Sequence, residues 1–204
     1  MEKTIKGKPV ADALSDLVKK ETEILKGKNI LPKLKIVRVG EREDDKSYER
    51  GAMKRMESCG VLCEVLTLPQ DIMQDEFIKH LKSVNEDESV HGILLFRPLP
   101  KQIDEDVVKY VISPQKDIDG FNPVNVAKVM EGDDTGFEPC TAKASMEMLK
   151  YYGVQLKGKR AAVLGRSMVI GKPVALMLLK EDATVTICHS KTENLPSVTK
   201  KLIY

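Results

Sequence analysis

The sequence predicts an α/β protein in which helices cover parallel sheets. Short apolar runs alternate along the chain with longer segments whose apolar residues recur every three or four positions, the spacing of amphipathic helices. This β-α-β-α order is typical of parallel sheets with helical crossovers. A stretch rich in Gly, Pro, Asp and Asn over residues 113–138 interrupts the alternation. We therefore predict two domains, residues 1–138 and residues 139–204.

The first predicted domain is a regular series of helices and strands. Residues 10–25 have helical periodicity, and Gly27 and Pro32 end that helix. The next strand and the next helix end at Gly40 and Gly60. The last strand is apolar throughout, which is typical of a parallel strand buried on both faces. After the first helix, the predicted elements are strand 34–39, helix 48–59, strand 61–68, helix 75–85, strand 90–96 and helix 104–112.

The second predicted domain repeats the alternation from Pro139 onward. A short helix over residues 124–130 precedes it. Pro173 lies near the start of a later helix, where a missing N–H is tolerated. The predicted elements are helix 142–152, strand 160–164, helix 171–179 and strand 184–188. These elements predict a second parallel sheet.

Composition excludes several classes of function. The chain has 204 residues, and 33 Lys and Arg against 31 Asp and Glu give a formal net charge of +2. The charges are interspersed, without the basic stripe of a nucleic-acid binder. No apolar run approaches the ~18 residues that span a bilayer. We therefore expect neither a nucleic-acid nor a membrane partner.

Cysteine and histidine usage indicates a reducing compartment and no metal. The cysteines form no CxxC pair, so we expect free thiols, each a small buried hydrophobic residue, in a cytoplasmic protein. The three histidines form no cluster with metal-ligand spacing. The residues are Cys59, Cys63, Cys140 and Cys188, and His80, His91 and His189.

A candidate phosphate-binding loop follows strand 160–164. The strand ends at Gly165, a short loop follows, and a helix starts at Gly171. This geometry presents backbone N–H groups and a helix N-terminus to a phosphate group. The spacing is not the standard G-x-G-x-x-G, and an ordinary loop between strand and helix is the alternative.

The end of strand 184–188 favours NADP over NAD. An NAD site has an acidic residue there that holds the ribose hydroxyls. Here His189, Ser190 and Lys191 follow the strand, and together with Arg166 they suit a 2′-phosphate. NAD stays an alternative cofactor. The predicted cofactor-binding residues are Gly165, Arg166, Ser167, Gly171, His189 and Ser190.

Three segments of the first domain indicate a substrate site. Residues 116–123 place Asp117 and Asp119 in an irregular loop, where a carboxylate can accept two hydrogen bonds from a guanidine-like ring edge. The alternative is a turn stabilised by Asp side chains. Residues 96–100 end a buried strand, where the ligand crevices of α/β sheets lie. The third segment begins at Tyr48.

Five ordered motifs carry a resemblance to a known family. The chain resembles the bifunctional methylenetetrahydrofolate dehydrogenase/cyclohydrolase family over about residues 32–199. The resemblance implies a folate-binding α/β domain, a Rossmann-like NADP domain and a cytoplasmic homodimer. The motifs are GILLFRPLP at 92–100, KDIDGF at 116–121, PCT at 139–141, GRSMVIGKP at 165–173 and ATVTICHSKT at 183–192.

The same resemblance implies roles for individual residues. Asp119 corresponds to the carboxylate that binds the pterin, and Tyr48 to the tyrosine beside the aminobenzoyl ring; these two are the implied catalytic residues. Arg166 and Ser190 correspond to the contacts with the 2′-phosphate. The implied substrate-binding residues are Tyr48, Phe96, Pro98, Leu99, Pro100 and Asp119.

Two departures from the family concern the cyclohydrolase step. The family has a lysine four residues after the tyrosine, and a glutamine that holds this lysine. Gly60 follows Tyr48 by twelve residues, as in the family, so the lysine position is Ala52. The glutamine position is Phe96. Both members of one interacting pair are therefore replaced.

No neighbouring residue is expected to substitute for that lysine. Lys54 lies about 120° around the helix from Tyr48, so we expect it to face solvent. Arg55 lies one further turn along, and a guanidinium hardly deprotonates. Arg97 follows Phe96 but points to the opposite face of the strand.

Family members continue beyond the length of this chain, so we expect a C-terminal truncation that leaves the Rossmann-like domain incomplete. Three functions stay open. The first is an NADP-dependent dehydrogenase with weak or no cyclohydrolase activity. The second is a bifunctional enzyme with a substitute base. The third is a folate-binding fragment without catalysis.

Overall fold

The computed structural model describes residues 4–200 and confirms the α/β class. All strand pairs in this part of the chain are parallel. The described residues form two compact units, residues 11–123, and residues 4–10 together with 124–200. The domain ranges 1–138 and 139–204 stay a prediction, because compactness alone does not delimit functional domains. No helix among residues 4–200 is both long enough and apolar enough to cross a membrane.

The unit of residues 11–123 is built on a three-stranded sheet of order β2-β1-β3. The strands are β1 (Lys33–Val39), β2 (Leu62–Leu68) and β3 (Gly92–Leu95). In the register, Val39 pairs with Leu68 and Val37 with Leu95, so the carboxyl ends of the three strands share one edge. That edge is where open α/β sheets hold their ligands.

The helices of the described residues connect and cover these strands. Helix α2 follows β1, helix α3 follows β2, and helix α4 follows β3. In chain order the helices are α1 (Gly7–Lys26), α2 (Glu43–Ser58), α3 (Gln74–Glu86), α4 (Glu105–Val108), α5 (Pro123–Glu131), α6 (Cys140–Tyr151), α7 (Gly171–Lys180) and α8 (Leu195–Thr199).

Strand β1 divides the core of the first unit into two clusters. Its successive side chains point to opposite faces. Ile36, fully buried, belongs to the cluster against which Ala52 and Met56 of α2 pack. Val37, also fully buried, belongs to the larger cluster, which contains Phe77 of α3.

The second unit contains a two-stranded sheet of β4 (Arg160–Leu164) and β5 (Thr184–Cys188). Leu164 pairs with Cys188, so these carboxyl ends also meet at one edge. Helices α6 and α7 pack with this sheet around a core that includes Val163 and Leu178. Both strands and α7 begin where the sequence predicts.

The clearest differences from the prediction concern four elements. Helix α2 begins at Glu43 rather than at residue 48, because three acidic residues in its first turn favour a helix N-terminus. Strand β3 is shorter than predicted, although the N–H of Phe96 still donates to the Val37 carbonyl at 2.9 Å. The short helices also differ, since α4 ends at Val108 rather than at residue 112 and α8 was not expected.

Candidate active site

An aromatic pair lies at the carboxyl edge of the first sheet. Tyr48 lies on α2, and Phe96 follows β3 directly. Their ring centroids are 5.4 Å apart, with an interplanar angle of 64°, an edge-to-face contact. Phe96 is buried, whereas Tyr48 is 62% exposed. The Tyr48 ring therefore offers an aromatic surface to a ligand at this edge.

An apolar cluster fills the space beside this pair. Ala52, one turn beyond Tyr48, packs against the cluster that contains Phe96, Leu34 and Ile36. The face of α2 that leads from Tyr48 toward the sheet thus carries a methyl group at residue 52. The buried position after β3 carries a phenyl ring. Neither position provides an amine or an amide.

The nearby cations point elsewhere. Lys54 is exposed, as predicted. Arg55 contacts α1, where its Nη1 atom lies 2.8 Å from Oγ of Ser15 and 3.6 Å from Oδ1 of Asp12. The described geometry places neither cation in the apolar cluster.

Cys63 of β2 packs against the same apolar cluster. Burial raises the pKa of its thiol, and the carboxylates of Glu49 and Glu64 raise it further. A raised thiol pKa means that the side chain stays neutral at physiological pH. Cys63 is therefore a weak candidate for a base or nucleophile in this part of the site.

A buried ion pair anchors α2 next to Tyr48, and sequence reasoning missed it. Nε of Arg38 lies 2.7 Å from Oε2 of Glu49, and both side chains are largely buried. The same guanidinium donates to the Gly40 carbonyl and to Oγ1 of Thr67. The sequence signal for this ion pair was Arg38 itself, an arginine at the otherwise apolar end of β1. The pair ties the end of β1 to the residue that follows Tyr48.

The two carboxylates of the loop after α4 have different environments. Asp117 is buried, and its oxygens accept the backbone N–H groups of Phe121 at 3.1 Å and Asn122 at 2.8 Å. It therefore holds the loop together, as the turn alternative predicted for an Asp in this segment. Asp119 keeps 23% of its side chain exposed. Of the two, Asp119 is the one positioned to meet a ligand.

Arg97 lies beside Asp119. Its Nη2 atom is 3.5 Å from Oδ2 of Asp119, and its guanidinium carbon is 4.2 Å from the centroid of the Phe121 ring. Phe96 and Arg97 thus serve opposite sides of the strand end, as predicted. One side is aromatic and apolar, and the other is charged.

The segment after Arg97 is fixed by the start of α4. The backbone N–H of Leu99 donates to Oε1 of Glu105 at 2.8 Å. Pro100 accepts a hydrogen bond from the N–H of Ile103 at 2.9 Å. Pro98 is exposed, and Leu99 and Pro100 are partly exposed. These three predicted substrate-binding residues are therefore accessible at the same sheet edge.

In the second unit, a groove of about 390 Å³ lies at the carboxyl ends of β4 and β5. Four of the six predicted cofactor-binding residues line it. They are Gly165, Arg166, His189 and Ser190. Gly165 has a φ of 140°, which side chains rarely adopt, and its N–H donates to the Cys188 carbonyl at 2.7 Å. Arg166 gives the groove a cation, and none of the described residues that line it is acidic, so it suits an anionic group.

The other two predicted residues shape the loop behind this groove. The Ser167 hydroxyl accepts the N–H groups of Ile170 at 3.1 Å and Gly171 at 3.4 Å, at the start of α7. A Cβ at Gly171 would lie 2.3 Å from the Gly165 carbonyl oxygen. Helix α7 approaches the loop this closely only because residue 171 lacks a side chain.

The loop after β5 is held by its own side chains. Nδ1 of His189 accepts the N–H of Lys191 at 3.1 Å, which places the proton of a neutral imidazole on Nε2. The N–H of His189 donates to Oγ1 of Thr192 at 2.8 Å. Within residues 4–200, no group of three or more His, Cys, Asp or Glu side chains could hold a metal ion.

Comparison with known protein families assigns both parts of the chain to one description. The catalytic domain of tetrahydrofolate dehydrogenase/cyclohydrolase matches residues 5–119. The NAD(P)-binding domain of the same family matches residues 139–202.

Similar proteins carry matching names. "Bifunctional protein FolD" of Alkaliphilus oremlandii is 59% identical over 201 residues, which cover 98% of this chain and 70% of that protein. The protein of the same name from Clostridioides difficile is 61% identical over 194 residues, which cover 95% of this chain and 68% of that protein.

A solved structure is also similar. The methylenetetrahydrofolate dehydrogenase-cyclohydrolase of Trypanosoma brucei, complexed with NADP cofactor and inhibitor, has a TM-score of 0.89 and 36% identity. The match covers 97% of this chain and 67% of that one.

Proposed function

Because the chain belongs to the tetrahydrofolate dehydrogenase/cyclohydrolase family, we propose that it is an NADP-dependent methylenetetrahydrofolate dehydrogenase with little or no cyclohydrolase activity. The family supports the dehydrogenase. The apolar cluster that contains Phe96 and borders Ala52 supports the loss of hydrolysis.

The folate subsite of this proposal lies at the carboxyl edge of the first sheet. Asp119 accepts hydrogen bonds from the pterin edge, and Tyr48 lies beside the aminobenzoyl ring. The Phe96 ring packs edge-to-face against the Tyr48 ring. Residues 98–100 line the rest of the subsite. This assignment is supported by the different environments of the two aspartates. Asp117 accepts backbone N–H groups of its own loop, whereas Asp119 is partly exposed.

The groove after β4 and β5 suits the 2′-phosphate of a dinucleotide. Arg166 and Ser190 supply a cation and a hydroxyl, while the close approach of α7 at Gly171 brings a helix N-terminus to the loop. No carboxylate lines the groove to repel the phosphate. NADP, when bound, supplies the hydride acceptor.

The dehydrogenase step needs orientation more than proton transfer. A hydride leaves the methylene carbon of the substrate for the nicotinamide, and a methenyl cation remains. The contribution of Tyr48 and Asp119 is to hold the aminobenzoyl ring and the pterin, so that the carbon between them is presented in one geometry. No group of this chain has to gain or lose a proton.

Hydrolysis of the methenyl cation does need a proton-transfer group. Water attack is assisted by a base within hydrogen-bonding reach, and the family supplies a lysine for this purpose. Here residue 52 is alanine, Lys54 is exposed, and the Cys63 thiol stays neutral. The arginine candidates engage other partners, Arg55 on α1 and Arg97 at Asp119.

A bifunctional enzyme is the second candidate. The observation that favours it is the name of the relatives at 59% and 61% identity, which are called bifunctional. In that case a group not drawn from the family pattern assists hydrolysis. A homodimer and a cytoplasmic location are further proposals, which rest on the resemblance and on the free thiols.

A single-turnover measurement separates these candidates. The protein is mixed with NADP and limiting methylenetetrahydrofolate, and NADPH and the methenyl chromophore are followed together. We expect NADPH to form and the chromophore then to decay at the rate in buffer without protein. Faster decay favours the bifunctional enzyme, and folate binding without NADPH formation favours a non-catalytic folate-binding protein.

A further inference from the structure

Arg97 has no role among those that the family implies, yet it touches the predicted pterin carboxylate. Its Nη2 atom lies 3.5 Å from Oδ2 of Asp119, with 19% of the Arg97 side chain exposed. The guanidinium carbon lies 4.2 Å above the Phe121 ring. The cation is therefore fixed by two contacts while part of it reaches the surface where the pterin would lie.

The contact with Phe121 limits which part of the guanidinium can meet a ligand. A stacked guanidinium has one flat face against the ring, and its N–H groups point outward in its own plane. Arginine has five such donors, and Nη2 is the atom whose distance to Asp119, 3.5 Å, defines the ion pair.

The edge of a pterin ring has three groups in a row, the 4-oxo acceptor, the N3–H donor and the 2-amino donor. A carboxylate accepts hydrogen bonds from the two donors but cannot serve the oxygen, because both are acceptors. Full recognition of this edge requires a donor next to the carboxylate. Arg97 places one beside Asp119.

We propose that Arg97 donates a hydrogen bond to the 4-oxo group of the pterin while Asp119 accepts from N3–H and the 2-amino group. This inference rests on the proposed function, since it takes Asp119 as the pterin carboxylate. A carboxylate has about four lone-pair sites and the pterin edge needs two, so the ion pair with Arg97 is compatible with the complex. Arg97 is then a specificity residue for 4-oxo pterins.

The test measures affinity and the state of the pterin carbonyl together. Folic acid labelled with ¹³C at C4 is titrated into the protein, with Kd from calorimetry and the C4=O stretch from isotope-edited infrared difference spectra. The variants are Arg97→Leu and Arg97→Lys. Arg50→Leu makes the same chemical change at an exposed arginine of α2 and is the control.

We expect Arg97→Leu to raise Kd by about ten- to a hundredfold, as for the loss of a charged hydrogen bond. The C4=O stretch should move to higher frequency, and Arg97→Lys should restore part of both effects. Arg50→Leu should change neither. Circular dichroism verifies that each variant is folded.

Two other results would overturn the inference in distinguishable ways. A raised Kd with an unchanged C4=O stretch means that Arg97 acts only through Asp119, and the contact with the 4-oxo group is then wrong. Folic acid that binds with unchanged Kd to Asp119→Asn removes the substrate site of the proposed function, and the inference falls with it.

Discussion

At the residue scale, two aspartates that lie two residues apart in one loop differ in what they stabilise. Asp117 is 1% exposed and accepts two backbone N–H groups, whereas Asp119 faces Arg97 at the surface. We expect Asp119→Asn to weaken folate binding by ~1.5–3 kcal/mol, because a charge-assisted contact is lost, with little change in the melting temperature.

Asp117→Asn is the matched variant, with the same chemical change two residues away. It leaves one buried N–H without its acceptor, so we expect the free energy of unfolding to fall by about 1–3 kcal/mol. Calorimetric titration and thermal melts of both variants provide the comparison. If Asp119→Asn lowers stability and leaves folate affinity intact, then Asp119 is the structural aspartate and its assignment to the pterin is wrong.

The cofactor preference is also a matter of single residues. Arg166 lines the groove after β4, and a cation there contributes to affinity mainly through the 2′-phosphate. We expect Arg166→Ala to weaken NADP binding far more than NAD binding, measured as Kd for each cofactor. Arg160→Ala, at the opposite end of β4, is the control. Equal losses for both cofactors would indicate a structural role for Arg166.

At the scale of elements, the start of α7 controls the shape of the cofactor loop. An added Cβ at Gly171 would lie 2.3 Å from the Gly165 carbonyl oxygen, so the backbone must move. We expect Gly171→Ala to lower NADP affinity at least tenfold while folate affinity stays the same. In Gly51→Ala, the new methyl group meets open space on α2, and stability should rise by about 0.5–1 kcal/mol. Unchanged NADP affinity in Gly171→Ala would mean that the start of α7 does not shape the cofactor site.

Periodicity predicted the elements well wherever burial determines them. Strands β4 and β5 have the predicted bounds, because Gly165 and His189 end the two apolar runs. The first turn of α2 escaped prediction because it buries no residue and depends on three acidic side chains instead. The pairing of Arg38 with Glu49 escaped it as well, since no local pattern reveals which charge a buried arginine will meet.

At the scale of the whole molecule, sequence motifs predicted which residues lie at two sheet edges, but not which contacts their side chains make. Parallel topology brings Tyr48, Phe96 and Asp119 to one edge, and Arg166 and Ser190 to another. The contacts of Arg97 depend on side-chain directions after a strand end, which spacing leaves open. Under the proposed function, residues 52 and 96 decide which of the family's two reactions the protein performs.

Restoring the family's pair should restore hydrolysis. Ala52 packs against the cluster that contains Phe96, so we expect a glutamine at 96 to orient a lysine at 52. General acid–base assistance contributes about 10²–10⁴-fold. We expect the variant with both Ala52→Lys and Phe96→Gln to speed decay of the methenyl chromophore strongly, and Ala52→Lys alone to do less.

Two controls make this prediction specific. Phe96→Leu removes the ring without adding an amide, and it should leave the decay at the buffer rate while NADPH still forms. Lys54→Ala in the otherwise unchanged protein should also leave the decay unaltered, because Lys54 is exposed and faces away from the cluster. If the unchanged protein already hydrolyses the methenyl product quickly and Lys54→Ala slows it, then Lys54 has replaced the missing lysine and the protein is bifunctional.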